Sequence, residues 1–324
     1  MILKLLQALR GTALALAATG ALAQPAFPDR PVKIVVGSDA GSAPDVLARS
    51  LGREMESLLK QPVIIENRSG AAGTVGATAV SLAAADGTTL LMGTVANIAL
   101  APSFYPIKYK PTESFTPVAM VASVPLVLVS SAAYGAPTMA QLSEKLRSGG
   151  REAAYASPGI GGPQHLAGVL LEKELSIKMV HVPFKSGGAA LNAVASGDAQ
   201  LGFAGIPAAI ALLQTKRIVP MFVTTPRRSS ALPDVPSATE VGLPAFEVDN
   251  WHALFAPAGL PAEARATLEK AVQTALASAA VKAQFARLGA EPAFSSGADL
   301  GVHVANEVQR WAKVAQSAGL DAKR

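Results

Sequence analysis

Apolar residues set two rhythms along this chain, and the switching between them predicts its elements. Val32 to Val36 is a β-branched run that empties into small residues, Gly37 to Ser42, and apolar positions then return at Leu47, Leu51, Met55 and Leu59. The first pattern is that of a buried strand; the second lays one face of a helix against a core. Ser42 and Asp45 have the spacing of a capping box, which starts that helix at Ser42. Pro62 to Asn67 reads as a second strand, and residues 68–76 as a glycine loop opening a small-residue helix that ends near Ala84. Thr88 to Met92 is a third strand, closed by the small polar stretch Gly93 to Asn97.

Two neighbouring runs, Val118 to Val121 and Leu126 to Val129, flank Pro125 and suit a crossover between lobes. A second series then repeats the plan. It comprises a helix from Thr138 with Gln141 as capping partner, a strand Ala153 to Ala156, a loop Ser157 to His165, and a helix to Leu175. A strand from Met179 delivers the chain onto the turn at Gly187, and Gln200 to Phe203 and Ile218 to Thr224 are further strands around a helix to Leu213. A return segment, Phe246 to Phe255, leads past Pro261 to a helix with apolar Leu268, Val272, Ala275 and Leu276. Glu291 to Phe294 is a short strand, and Val302 to Ala318 a closing helix. Strands alternating with helices predict an α/β protein of two lobes. With the C-terminal helices folding back, lobe 1 is expected to be discontinuous, 24–125 with 249–324, and lobe 2 to span 126–248.

Composition narrows what such lobes do. The chain has 324 residues, half of them hydrophobic, enough for one large or two ordinary domains. Lys4 and Arg10 flank an apolar leader ending in Ala21-Leu22-Ala23, an A-x-A site, so residues 1–23 read as a signal peptide and the mature protein as periplasmic. There is no cysteine, hence no disulfide, no thiol chemistry and no lipid-bearing cysteine. The formal charge of +5 drops by two with the leader, and no basic helix interleaved with aromatics is present, which argues against nucleic acid as a partner. Four dispersed histidines without metal-ligand spacing, no G-x-S-x-G elbow and no evident acid pair leave catalysis and metal or other cofactors unsupported. The glycine loop, G-x-x-G-x-x-G, is neither the dinucleotide fingerprint nor a P-loop, and reads as close helix–strand packing.

Two loops remain as candidate chemistry. In Ser38, Asp39, Ala40, Gly41 and Ser42, amides on Gly41 and the first helical residues, at the positive end of a helix dipole, make a site for a carboxylate, with Pro44 removing one donor. The loop Ser157, Pro158, Gly159, Ile160, Gly161, Gly162, Pro163, Gln164, His165 has the same character in the second series. The expectation is that Gly41 and Gly161 confront each other over a cleft that closes by hinge motion on a small polar ligand.

Several stretches together resemble one family. Phe27 to Val36, Glu66-Asn67-Arg68-Ser69-Gly70-Ala71-Ala72-Gly73-Thr74-Val75-Gly76, Asp86 to Leu90, His181-Val182-Pro183-Phe184-Lys185, and Leu232 to Ser237 with Glu240 and Gly242 are similar to the Bug family, extracytoplasmic receptors of tripartite tricarboxylate transporters. The resemblance implies a Venus-flytrap, the type II periplasmic binding protein fold. It implies a small carboxylate held by loop amides and waters and delivery to a membrane permease; a monomer is expected. It places ligand contacts on the two loops and on Thr94, Asn97, Phe184, Lys185, Gly187 and Trp251. A receptor that presents its closed form to a sensor kinase is the second reading of the same clamp. The chain departs from the family in the first loop, where an aromatic and Pro-Gly-Gly are usual, and at Gly162 and Gln200. Asp39 puts negative charge beside the expected anion site, which favours a less anionic ligand unless Lys185 or the helix dipole offsets it.

Overall fold

The computed structural model describes residues 27–148 and 152–320. The leader expected over residues 1–23 lies outside them. Val32–Val36 forms β1, and Val63–Asn67 (β2) and Thr89–Thr94 (β3) lie parallel on either side of it. Between them run α1 (Ala43–Leu59) and α2 (Thr74–Ser81). The expected helix rhythm is met: Leu47, Leu51 and Met55 are fully buried and Leu59 nearly so. They pack under Val32, Ile34 and Val36 of β1 and against Leu268 and Val272. Each such side chain contributes about 1.5–3 kcal/mol of burial.

A helical segment, Val95–Leu100 continuing through Ala101–Phe104, follows β3, and β4 spans Phe115–Ser123. The chain then crosses at Val124 and Pro125 into a second sheet. That sheet contains β5 (Leu126–Ser131), β6 (Ala153–Ser157), β7 (Met179–Pro183), β8 (Leu201–Gly205) and β9 (Ile218–Val223), in the order β7-β6-β8-β5-β9. Its helices are α3 (Met139–Ser148), α4 (Pro163–Leu175), α5 (Gly187–Ser196) and α6 (Ile206–Leu213).

The chain returns through β10 (His252–Pro257), which inserts antiparallel between β3 and β4. The expected return segment from Phe246 is strand only from His252: Phe246 packs against Phe203 and Phe222 of the second lobe, and Val248 to Trp251 form the second crossing. α7 (Ala262–Ala277), α8 (Ala279–Arg287), β11 (Glu291–Pro292) and α9 (Gly297–Ser317) complete the first lobe, whose sheet has the order β11-β4-β10-β3-β1-β2. α9 begins five residues before the expected Val302, because Ser296 caps it by accepting the Asp299 N–H at 3.1 Å.

The two crossings lie side by side. Asp249 Oδ1 accepts the Val124 N–H at 2.8 Å, Asn250 N donates to Val124 O at 3.3 Å, and Thr224 Oγ1 donates to Val248 O at 2.6 Å. This short two-stranded ribbon is the physical link between the lobes, where a few backbone rotations suffice to move one against the other. Among the described residues no helix is long and apolar enough to cross a membrane.

Candidate functional site

The first loop is built on a buried carboxylate. Asp45, 2% exposed, accepts hydrogen bonds from Gly41 N at 2.9 Å, Arg49 Nε at 3.0 Å and Asn67 Nδ2 at 2.9 Å. Asn67, at the end of β2, also donates to Ser38 O at 3.0 Å. Burial works to raise the Asp45 pKa, but the bonds from Arg49, the Gly41 amide and Asn67 outweigh it and hold the carboxyl below its ordinary value. The expected capping box does not form. Ser42 is extended and precedes α1, yet no side chain caps the helix; Ser42 Oγ pairs with Ser38 Oγ at 2.7 Å, and Asp45 turns to Gly41 instead of the Ser42 N–H. The Gly41 amide is therefore already occupied.

The second loop repeats this device. Gly161, with φ of +79° matching +83° at Gly41, donates its N–H at 3.0 Å to His165 Nδ1, four residues on in the first turn of α4. Both positions need glycine, since the left-handed region costs an L side chain strain. His165 is 3% exposed and stacks on His181 with ring centroids 4.0 Å apart. Burial, with His181 beside it, pushes His165 down to about 4, so the ring is neutral at pH 7 with its Nδ1 lone pair on Gly161. Ser157 Oγ lies 2.6 Å from His181 Nε2 and accepts the Gly159 N–H at 3.2 Å. Ser157 and His165 thus hold the amides of Gly159 and Gly161, and neither residue lines either hollow between the lobes.

Between the lobes lies a cavity of about 360 Å³. The first lobe supplies Gly37, Ser38, Pro44, the turn Gly70 to Gly73, Thr94, Ala96, Asn97, Asn250 and His252; the second supplies Pro163 and Gln164. A smaller hollow of about 180 Å³ shares Ala72 and Ala96 and is closed by Pro158 to Gly162 opposite Leu100, Ala101 and Tyr105. A Cβ on Gly161 would lie 3.2 Å from the Phe104 ring, so the lobes touch there.

Of the residues expected from sequence, Ser38, Thr94, Asn97 and Gln164 line the cavity, and Gly159, Gly161 and Gly162 the smaller hollow. The others do not meet there. Asp39, Ala40 and Gly41 are exposed and Ser42 is half-buried, all outside both linings, so Gly161 faces the turn Gly70 to Gly73 and Ala96 to Ala101, not Gly41. Phe184 packs on the second lobe's core, and Lys185 and Gly187 are exposed outside either hollow. Trp251 is 1% exposed in the first lobe's core, its indole donating to Glu307 at 3.3 Å. Residues alternate faces along an extended chain, so it is the neighbours of Trp251, Asn250 and His252, that reach the cavity.

The glycine loop read as packing is that and more. A Cβ on Gly37 would come within 2.7 Å of Gly73 Cα, and one on Gly73 within 3.0 Å of Asn97 Nδ2. Only bare backbone at both positions brings the turn against β1, and that contact makes the turn a cavity wall. The position of the loop at the C-terminal end of a parallel strand was the available signal.

What lines the cavity, among the described residues, is uncharged and mostly apolar, with a few polar groups set into it. α1 and α4 both begin without a side-chain cap, and each contributes a first-turn proline, Pro44 and Pro163, to the wall. First-turn amides lack intrahelical partners and carry the positive end of the dipole, but the two prolines have no N–H, so Gln164 is the first-turn residue that brings an amide to the wall. Asn97 Oδ1 accepts the Thr94 N–H at 2.8 Å, which turns its Nδ2 toward Gly73 as a donor. His252 is 1% exposed, pushed down to about 4 by burial, and its Nδ1 has no hydrogen-bond partner. Among the described residues, no aspartate, glutamate, lysine or arginine is in either lining.

Two α/β lobes joined by a paired crossing, with an uncharged hollow between two helix N-termini, define a two-lobed binding protein of the type II fold. Residues 47–320 match the family model described as the tripartite tricarboxylate transporter family receptor, and the chain belongs to that family, one of receptors and not of enzymes. Protein BugT of Bordetella pertussis (strain Tohama I) is 32% identical over 312 residues, 94% of this chain and 96% of that protein. Among solved structures, R. palustris Rpa4515 with adipate is similar at 32% identity and TM-score 0.76, over 91% of this chain and 99% of that one. MatC from Rhodopseudomonas palustris with bound malate is similar at 33% identity and TM-score 0.71, over 89% and 99%. The resemblance to the Bug receptors read from the sequence motifs is the family found.

Proposed function

We propose that the protein is a periplasmic receptor, exported behind the 1–23 leader, that captures a small organic carboxylate in the interlobe cavity and delivers it to a tripartite tricarboxylate-type permease. The observation that carries this reading is the cavity itself. Among the described residues its wall offers the Gln164 amide at the start of α4, the Asn97 side-chain amide and the Ser38 hydroxyl, and no acidic side chain to repel an anion. Asp39 is exposed and outside that wall, which removes the reason to expect a less anionic ligand. Adipate and malate in the similar Rpa4515 and MatC structures support the same class. In this reading the closing bodies are 24–125 with 249–324 and 126–248, hinged at the ribbon of Val124 and Asp249.

Calorimetric titration of the purified mature protein with adipate, malate and citrate, beside neutral amino acids, tests the ligand class. Binding of a carboxylate that weakens at least tenfold in Asn97→Ala is the expected result. Binding of amino acids alone would reject it. Loss of carboxylate uptake on deletion of the gene separates delivery to a permease from a purely sensory role.

A further inference from the structure

We propose that His252 is the charge-compensating residue of the cavity, taking up a proton when a carboxylate ligand enters. The inference rests on the carboxylate reading above and goes beyond it by naming the group that reads the ligand's charge. His252 opens β10 opposite Thr94, is 1% exposed, and forms part of the cavity wall. Its Nδ1 is buried with no partner. A buried polar atom left unpaired carries a desolvation cost that a pairing ligand relieves.

Among the described residues it is the one titratable side chain in the cavity lining. The elements packed around it, β3, β4, Val95–Leu100 and the turn Ala71–Gly73, contain no aspartate, glutamate, lysine or arginine. Asp249 stands three residues earlier in the crossing, and Glu307 of α9 binds Trp251 on the opposite face of the strand. From α1, Asp45 is held by Arg49 and Gly41; from α4, Gln164 is neutral and His165 is turned to Gly161. An entering anion is therefore the change in charge that His252 meets. Burial keeps the ring neutral in the free protein, at about 4, outweighing a backbone hydrogen bond to Asn250 that works to raise it. An anion in contact raises a histidine pKa by about 1–3 units, enough to bring protonation into the range near pH 6.

The test is calorimetry of the full mature chain with adipate as probe, in pairs of buffers of different ionisation enthalpy, at pH 6 and pH 8. Proton uptake of roughly 0.1–0.9 per adipate is expected at pH 6 and about 0.1 or less at pH 8, with affinity rising toward about tenfold per pH unit in acid. His252→Asn should abolish that uptake, and any uptake by adipate itself persists in the variant and is subtracted. In the unaltered protein, nitrogen NMR of the His252 ring should shift to the imidazolium position when adipate is added at pH 6, a readout independent of how the variant folds. Adipate binding without uptake overturns the proposal, as does uptake unchanged in His252→Asn, the result Asp249 would give. Absence of heat with adipate, malate and citrate alike would sink the carboxylate reading first, and the role of His252 with it.

Discussion

Removing the Asp45 carboxylate should loosen the first loop from the scaffold while leaving the core intact. The group receives Gly41 N, Asn67 Nδ2 and both Nε and Nη2 of Arg49, all within 2.9–3.0 Å. Hydrogen bonds to a buried charged group contribute about 1.5–3 kcal/mol each, but not all of this is lost. Arg49 is half exposed and Gly41 lies at the surface, so both donors regain water in Asp45→Ala. Asn67 keeps Ser38 O, but its second N–H is left in a partly buried site. The net loss should be about 2–3 kcal/mol for Asp45→Ala and about 1–2 for Asp45→Asn, which keeps one oxygen acceptor.

The pH dependence identifies the cause. The folded pKa of Asp45 is depressed, so its contribution is complete above the unfolded carboxylate value of about 3.9 and is lost as pH falls through the folded value. Urea unfolding of wild type and Asp45→Asn from pH 7 to pH 3 should show two curves converging in acid, with unchanged slope in denaturant. A difference below 0.5 kcal/mol at pH 7 for Asp45→Ala, or one that persists undiminished in acid, would refute the reasoning.

Asp249→Asn should act in the opposite sense. Burial pushes Asp249 up to about 7, despite the bonds from Ser123 and Val124, so the wild-type link loses stability as pH rises from about 4 to 7. The variant, still able to accept the Val124 N–H, should be more stable at pH 8 by about 2 kcal/mol, with the advantage gone at pH 4 in thermal melts. Gly37→Ala forces the turn Gly70 to Gly73 away from β1, where the new Cβ would sit 2.7 Å from Gly73 Cα. A loss of about 1–3 kcal/mol with at least tenfold weaker adipate binding is expected by denaturation and calorimetry. Glu307 accepts from Trp311 at 2.8 Å and Trp251 at 3.3 Å, and these are the two tryptophans of the chain. Glu307→Gln should cost about 1–3 kcal/mol and shift intrinsic tryptophan emission, a change that a purely surface role would not produce.

Local pattern carried most of the fold. The four-residue rhythm of α1, the β-branched β1, the prolines and glycines at strand ends and the crossing at Pro125 are one-dimensional signals, because periodicity and turn chemistry act between near neighbours. The second βα series and the return of the C-terminal helices followed from the same cues, and the family motifs from residues spread along the chain. Four of the cavity residues, Ser38, Thr94, Asn97 and Gln164, were legible by position.

Tertiary structure decided which groups the cavity receives. The sequence makes Gly41 and Gly161 good amide donors, but each N–H is taken by a side chain four residues on, Asp45 or His165, once helix and loop pack together. His165 and His181 are sixteen residues apart in sequence and become stacked rings only because β6 and β7 pair. Trp251 had the aromatic character expected of a ligand contact, yet strand alternation and the carboxylate of Glu307, fifty-six residues away, draw it into the core and leave His252 in the wall. Side-chain type and spacing are properties of the chain, whereas the face a side chain presents and the partner that claims it are set by contacts between segments distant in sequence.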